Sequence, residues 1–176
     1  YRVMISATAL ASSTGTRSFQ LGIVEDGGAA SYTGDGTSSF FVWGVQVQEG
    51  GYASYMKSEA EPVKEAFFAS ETQEQNLLLY SEVLADTTYW TFSRISGTSN
   101  TSDTTAPDGT NTAEKFLETS ANNTHYFQND LDEAPFITKG QNYTYSAYVK
   151  RVAGSDDRNI NIELFTTNNT FSPYSV

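Results

Sequence analysis

Residues 40–48 read FFVWGVQVQ, and this run decides the fold class. Side chains alternate along it with a period of two, which is typical of a β-strand with one face on a core. The alternation predicts a buried face made by Phe41, Trp43, Val45 and Val47. The reverse face is then made by Phe40, Val42, Gly44, Gln46 and Gln48. Gly44, inside the strand, indicates close packing or a local bend.

Other runs of the chain alternate in the same way. The longer ones are residues 17–24, 141–150 and 158–165, and the shorter ones are 2–8, 77–81, 89–95, 114–119 and 125–129. Turn-forming residues such as Asp26-Gly27-Gly28 and Pro107-Asp108-Gly109 lie between them. Many short strands separated by such turns predict an all-β, antiparallel sandwich or barrel.

Residues 58–75 break this pattern. They are rich in Glu, Ala and Gln and show no period of two. Pro62 suits a first helical turn, and Val63, Ala66 and Phe67 follow at helical spacing. We therefore predict a short amphipathic helix that links two β segments. The alternative is a flexible acidic linker.

Composition excludes several classes of protein. The chain has 176 residues, about one domain or parts of two, and its net charge is −11. That charge argues against nucleic acid as a partner, because phosphate binding needs a positive face. There is no cysteine and only one histidine, so common zinc sites are not expected. No apolar run has the ~18 residues of a membrane helix. Since residue 1 is not Met, we expect a piece of a longer protein.

Two blocks of sequence carry a family resemblance. The block YTGDGTSSFFVWGVQVQEGGYASYM at 32–56 resembles the closing part of a jelly-roll module common in bacteriophage tail and fibre proteins. That family is related to carbohydrate-binding modules and concanavalin-like lectin domains. Its closing strand has the form aromatic-x-W-G-x-Q-x-E-x-G. The matching residues are Phe41, Trp43, Gly44, Gln46, Glu49 and Gly50, with Gln48 as one extra residue before the Glu.

The second block resembles the opening part of the same module. It comprises NLLLYSE at 76–82, Trp90, and residues 105–119 and 141–151. The resemblance implies a C-terminal half-module at 1–57, a linker at 58–75 and an N-terminal half-module at 76–176. Either the halves belong to successive modules of an array, or they pack together as a permuted sandwich. A lone half would expose strand edges and apolar faces, so something must complete each half.

The resemblance also implies a function. The chain is expected to be a non-enzymatic structural protein of a phage particle, as part of a tail fibre, appendage or head-surface fibre. Its carbohydrate-binding-like modules could contact host-surface glycans. Its expected partners are other virion subunits, including copies of itself in a homo-oligomer such as a trimer. Two alternatives stay open: a purely architectural decoration module, and an accessory module of a secreted bacterial glycan-degrading enzyme.

Polar side chains on the reverse faces of three strands are the first candidates for a glycan site. They are Gln46, Gln48, Ser146, Tyr148, Asn161 and Glu163. If the strands share a sheet, these amides, hydroxyls and carboxylate form a surface able to bind sugar hydroxyls. The alternative is an ordinary wet face, or one covered by a partner. The loops at 32–37 and 122–126 are a second candidate, because binding residues favour loops on a rigid scaffold.

Other chemistry is weakly indicated. The two tryptophans, Trp43 and Trp90, are predicted to be core residues and not sugar platforms. No cofactor is expected, although a structural calcium is possible because carbohydrate-binding jelly rolls often hold one. Its candidate ligands are Asp35, Asp103, Asp108, Asp130 and Asp132. No catalytic residue is assigned, because adjacent carboxylates at 25–26, 132–133 and 156–157 would point to opposite faces of a strand. His125 lacks an accompanying nucleophile motif.

Overall fold

The computed structural model describes residues 1–8, 17–29, 31–59, 63–64, 75–130, 140–155, 157–166 and 169–175. Within these ranges all regular structure is β, in fourteen strands, and every strand pair is antiparallel. The all-β, antiparallel prediction is therefore confirmed for this part of the chain. The same ranges contain no helix long and apolar enough to cross a bilayer.

The strands are numbered in chain order. They are β1 Arg2–Thr8, β2 Arg17–Glu25, β3 Tyr32–Thr33, β4 Ser39–Glu49, β5 Val63–Lys64, β6 Gln75–Asn76, β7 Thr91–Ser93, β8 Ile95–Thr98, β9 Glu114–Glu118, β10 Asn122–Asn123, β11 His125–Asp130, β12 Asn142–Arg151, β13 Arg158–Thr166 and β14 Asn169–Ser175.

Two five-stranded sheets form a β-sandwich-like body. Sheet A has the order β1-β12-β4-β9-β8, and sheet B has the order β14-β13-β2-β11-β7. Two short pairs, β10-β3 and β5-β6, complete the described pairing. Both sheets contain strands from 1–57 bonded to strands from 76–176. Of the two arrangements that the sequence left open, the described strands therefore have the one in which the two ranges pack together.

Stacked aromatic rings join the two sheets. Phe19 of β2 lies parallel to Tyr145 of β12, with ring centroids 5.9 Å apart. Phe116 of β9 stacks on Phe127 of β11 at 4.2 Å, and Trp90 meets Phe127 edge-on at 5.4 Å. Offset and edge-to-face pairs of this kind add about 1 kcal/mol each to their area burial. The prediction that Trp90 is a core residue is confirmed, since its side chain is buried in the main cluster.

Most predicted strands are confirmed within a residue or two. The prediction for 77–81 is wrong: these residues form bends and turns, and Tyr80 has a positive φ of 52°. Leu77 and Leu78 are buried in the core all the same. The Asn76 side-chain oxygen accepts hydrogen bonds from the Val47 and Leu78 N–H groups, at the end of the two-pair ladder between β5 and β6. Burial of an apolar run therefore occurred here without a strand.

The predicted helical linker finds no support in its described part. Val63–Lys64 is extended and pairs with Gln75–Asn76. Residues 60–62 and 65–74 lie outside the described residues.

Strand β4 changes phase at Gly44, so the predicted face assignment is wrong in its first half. Gln46 pairs with Ser146, but Trp43 pairs with Tyr148, which leaves one extra residue on β4. Gly44 has a φ of 61° and makes this β-bulge. Side chains facing the main core are therefore Phe40, Val42, Val45 and Val47. Trp43 is buried on the opposite face, in a second cluster with Ala106 and Ala113.

Residues 50–57, called here the covering segment, pack over the outer face of sheet A. Gln46 receives a hydrogen bond from the Met56 N–H at 2.7 Å and donates to the Ser54 carbonyl at 3.2 Å. Arg2 donates to the Ala53 carbonyl at 3.0 Å. Tyr55 lies against Trp43, with ring centroids 4.5 Å apart. Most of β4 is consequently buried on both faces.

Replacing Gly44 should destabilise the fold. In Gly44→Ala a Cβ would lie 3.1 Å from the Tyr55 ring, at a φ that L-residues rarely adopt. The strained backbone and the crowded contact together should cost about 2 kcal/mol. Urea denaturation would measure this cost. Gly51→Ala is the control, since its Cβ meets nothing within 4 Å. Equal stability of the two variants would contradict the bulge assignment.

Candidate functional site

The six predicted ligand residues occupy two different sheets. Four lie on neighbouring strands of sheet A: Gln46, Gln48, Ser146 and Tyr148. Asn161 and Glu163 lie on β13, the strand between β14 and β2 in sheet B. The prediction of one six-residue surface is therefore wrong, because the sandwich separates the two groups.

Most polar groups of the four sheet A residues are hydrogen-bonded to other parts of this chain. Gln46, Gln48 and Ser146 are buried. The two glutamines bind each other and the covering segment, while Ser146 accepts a hydrogen bond from Arg2 at 2.9 Å. The polar groups of these three side chains are thus hydrogen-bonded within the fold. Tyr148 is half-buried and lies beside Trp43, at 5.5 Å between ring centroids.

The sheet B group lies in a groove of about 260 Å³ on the outer face of that sheet. Two rows of side chains cross β13, β2 and β11 there. One row is Asn161, Gly22 and Tyr126, and the other is Glu163, Gln20 and Gln128. Gly22 has no side chain, so the floor of the groove dips between Tyr126 and Asn161. A Cβ at Gly22 would lie 3.1 Å from the His125 backbone oxygen and 3.5 Å from the Tyr126 Cβ, so this position is close-packed against β11.

The groove carries a polar atom whose hydrogen-bonding capacity is unfilled. Asn161 is 8% exposed and donates through Nδ2 to Glu163 Oε1, while its Oδ1 has no partner among the described residues. The His125 side chain lies on the other side of β11, where its ring packs on Tyr32, so its unpartnered Nδ1 does not belong to the groove. A buried acceptor normally has a partner, so Asn161 Oδ1 marks a place for water or a ligand. No lysine or arginine belongs to the described lining.

An ionic cluster beneath the groove holds His125 in place. Arg158 Nε approaches the two carboxylate oxygens of Glu118 at 3.3 and 3.2 Å. Tyr32 Oη donates to the same carboxylate at 2.6 Å, and its ring lies 4.7 Å from the His125 ring. Burial and the neighbouring Glu118 carboxylate raise the pKa of Tyr32, so this phenol stays a donor. We call Glu118, Arg158 and Tyr32 the buried ionic cluster; the exposed Asp35 lies at its edge, 3.5 Å from Arg158.

The two loops proposed from the sequence do come together. Tyr32–Thr33 pairs with Asn122–Asn123, and the Asp35 N–H donates to Glu118 at 2.7 Å. Burial alone would raise the pKa of Asp35, but hydrogen bonds from Ser38 and Thr37 hold it well below its usual range. These contacts tie the loop to β9, so its polar groups serve the fold.

The proposed calcium ligands are engaged elsewhere. Asp103 pairs with Lys115 at 3.1 Å, and Asp108 accepts a hydrogen bond from Thr110 at 2.7 Å. Asp132 and the side chain of Asp130 lie outside the described residues. Over the described ranges, no group of three or more His, Asp or Glu side chains is placed to hold a metal ion.

The acidic pairs weighed for catalysis are at surface turns where they are described. Asp26 and Asp157 are exposed at the ends of β2 and β13, and Glu25 is half-buried. Residues 132–133 and 156 lie outside the described part.

Three groove residues were not singled out as ligands by the sequence: Gln20, Gly22 and Gln128. The alternation of β2 does place Gln20 and Gly22 opposite Phe19 and Leu21, so the signal was present. What the pattern could not supply was the strand order β13-β2-β11, which sets these faces side by side.

Comparison with known proteins adds no family assignment. No family model matches the chain, no curated protein matches it, and no solved structure matches it.

Proposed function

We propose that this chain is a non-enzymatic structural module of a bacteriophage particle that binds host-surface glycans through the sheet B groove. The observation that carries the proposal is the groove itself. It offers amides, a carboxylate and a tyrosine ring on three adjacent strands, with a glycine floor between them. Sugar-binding sites use this combination, in which a ring packs on an aromatic face and hydroxyls bind amide and carboxylate groups.

We further propose that the module is a jelly roll. Two antiparallel sheets face each other, and the chain changes sheet at most of its connections. Lectin and viral capsid domains share that architecture. The resemblance at 32–56 and 76–151 supports a tail fibre, an appendage or a head-surface fibre as the location, and a homotrimer as the assembly.

The groove favours a neutral glycan. Glu163 contributes a negative charge, and the described lining supplies no lysine or arginine to balance an acidic sugar. Hydroxyl groups, in contrast, can donate to Glu163 and to Asn161 Oδ1. The expected ligand is therefore an uncharged hexose within a host polysaccharide.

Removal of Tyr126 should weaken glycan binding. Tyr126→Ala deletes the ring beside the glycine floor, and Gly22→Val fills the floor without removing any polar group. Each should lower affinity for a retained host polysaccharide by about tenfold, which corresponds to ~1.4 kcal/mol. The measurement is affinity electrophoresis or a glycan array, followed by calorimetry with the selected oligosaccharide.

Tyr52→Ala is the matched control for this experiment. Tyr52 is 64% exposed and contacts Arg2 of sheet A, so its loss should leave binding unchanged. If the wild-type protein binds and Tyr126→Ala binds equally well, the groove is not the site.

A decoration module without glycan binding is the second candidate. Among the residues that the structure describes, three large apolar side chains are exposed: Tyr1, Met4 and Tyr52. Exposed apolar groups at one edge of a sheet can contact a neighbouring subunit. Two results together would favour this function: the wild-type protein retains no glycan, and the groove variants still assemble into particles normally.

A further inference from the structure

A second pocket lies on the other side of the sandwich. It occupies about 160 Å³ on the outer face of sheet A, where β4 and β12 meet the loop at 104–107. Its walls are mainly apolar and include Trp43, Tyr148 and Pro107. This volume suits a single six-membered ring better than an extended chain.

The aromatic walls are fixed before any ligand arrives. The Trp43 indole N–H donates to Thr112 Oγ1 at 2.9 Å, and its ring is edge-on to Tyr148. Tyr55 packs on Trp43 from the covering segment. Because these walls are already ordered, ligand binding costs little side-chain conformational entropy.

One cation at the rim is not neutralised. Lys150 lines the pocket and donates to Thr104 Oγ1 at 2.8 Å, and it forms no ion pair with a carboxylate in the described ranges. Lys115, on the same face, is paired with Asp103 at 3.1 Å, and Lys57 is paired with Glu82 at 3.1 Å. In a chain with 21 acidic and 10 basic residues, the exposed Lys150 gives the rim of this pocket a positive charge that is complementary to an anionic ligand.

We propose that this pocket binds one acidic sugar residue, a pyranose ring carrying a carboxylate. The ring packs on Tyr148 and Trp43, the carboxylate faces Lys150, and the hydroxyls meet Thr104 and Thr105. An apolar site with a few polar groups at its edge is the usual form of a small-ligand pocket. The pocket is separated from the groove by the sandwich, so the inference does not rest on the groove.

The test is an NMR titration of the ¹⁵N-labelled chain with methyl glucuronide, methyl glucoside and benzoate in parallel. The Trp43 indole N–H is the reporter, and the core Trp90 indole is the internal reference. The expected result is a shift of Trp43 alone, with the glucuronide bound about three- to fivefold more tightly than the glucoside. Equal binding of the two sugars, binding of benzoate alone, or an unmoved Trp43 signal at millimolar ligand would overturn the proposal.

Matched variants assign the effect to the pocket. Lys150→Gln should reduce glucuronide binding to the level of the glucoside, whereas Lys115→Gln should leave the preference intact. Both lysines are near the surface, so a dispersed spectrum will show that each variant is folded. Tyr126→Ala should not alter the Trp43 response. Retention of the preference in Lys150→Gln, or its loss in Tyr126→Ala, would contradict the assignment.

Discussion

Arg158→Ala should cost about 3–5 kcal/mol of unfolding free energy, because it leaves a buried carboxylate without its cation. The Glu118 side chain is fully buried, and Arg158 approaches both of its oxygens from β13. The remaining donors to Glu118 are Tyr32 Oη and the Asp35 N–H. Urea denaturation at neutral pH would measure the loss.

Two further variants make that prediction specific. Arg151→Ala, at the exposed end of β12, should cost less than about 1 kcal/mol. Replacing both partners, as in Arg158→Met with Glu118→Leu, should recover much of the loss, since the uncompensated charge is then gone. If Arg158→Ala is no more destabilised than Arg151→Ala, the ion pair between Glu118 of sheet A and Arg158 of sheet B does not stabilise the fold as expected.

Glu114→Gln should make stability less dependent on pH between about pH 5 and pH 8. Glu114 is 1% exposed, and burial raises its pKa to about 8. Backbone N–H groups of Ala85 and Leu84 bind the carboxyl and offset part of that effect, while Glu114 Oε2 has no described partner. In the folded protein the group is therefore protonated at neutral pH.

The sign of the pH dependence follows from whether the folded or the unfolded protein releases the Glu114 proton at the lower pH. Below pH ~4.5 the carboxyl is protonated in both states. As pH rises towards 8 the unfolded chain ionises while the folded chain does not, so stability falls with a slope approaching ~1.4 kcal/mol per pH unit. Above pH 8 both states are ionised and this slope ends. Glu114→Gln removes the effect and should be the more stable protein at pH 8.

Denaturation of wild type and Glu114→Gln at pH 5, 6, 7 and 8 would measure the difference. Asp108→Asn is the control, because hydrogen bonds from Thr110 lower the pKa of Asp108, which places its titration below this window. A stability difference between Glu114→Gln and wild type that is constant with pH would show that Glu114 is already charged in the fold.

The fold class was readable from the sequence because side-chain alternation is a local property. Phe19, Leu21 and Ile23 face the core as the period of β2 predicts. Strand β4 shows the limit: both faces of FFVW are apolar, so only the backbone could reveal that Gly44 shifts the phase. β14 was missed since it contains Pro173, which an edge strand tolerates.

The candidate site was readable only in part for the same reason. Asn161 and Glu163 were found as polar residues on a reverse face, but sheet membership is a long-range property. The same local pattern marked Gln46 and Gln48, which the covering segment buries. A polar reverse face can bind solvent, a ligand or the chain's own backbone, and only the fold distinguishes these outcomes.

The interleaving of strands has a consequence for how the molecule can be divided. β4 is bonded to β9 and β12, and β2 is bonded to β11 and β13, so partners from before residue 59 and after residue 75 hold each other in both sheets. A break in the chain between those residues would sever one covalent link while leaving the ladders of both sheets intact. The two fragments would then behave as the halves of a split protein. Each would fold poorly alone, because each needs strands of the other to complete its sheets.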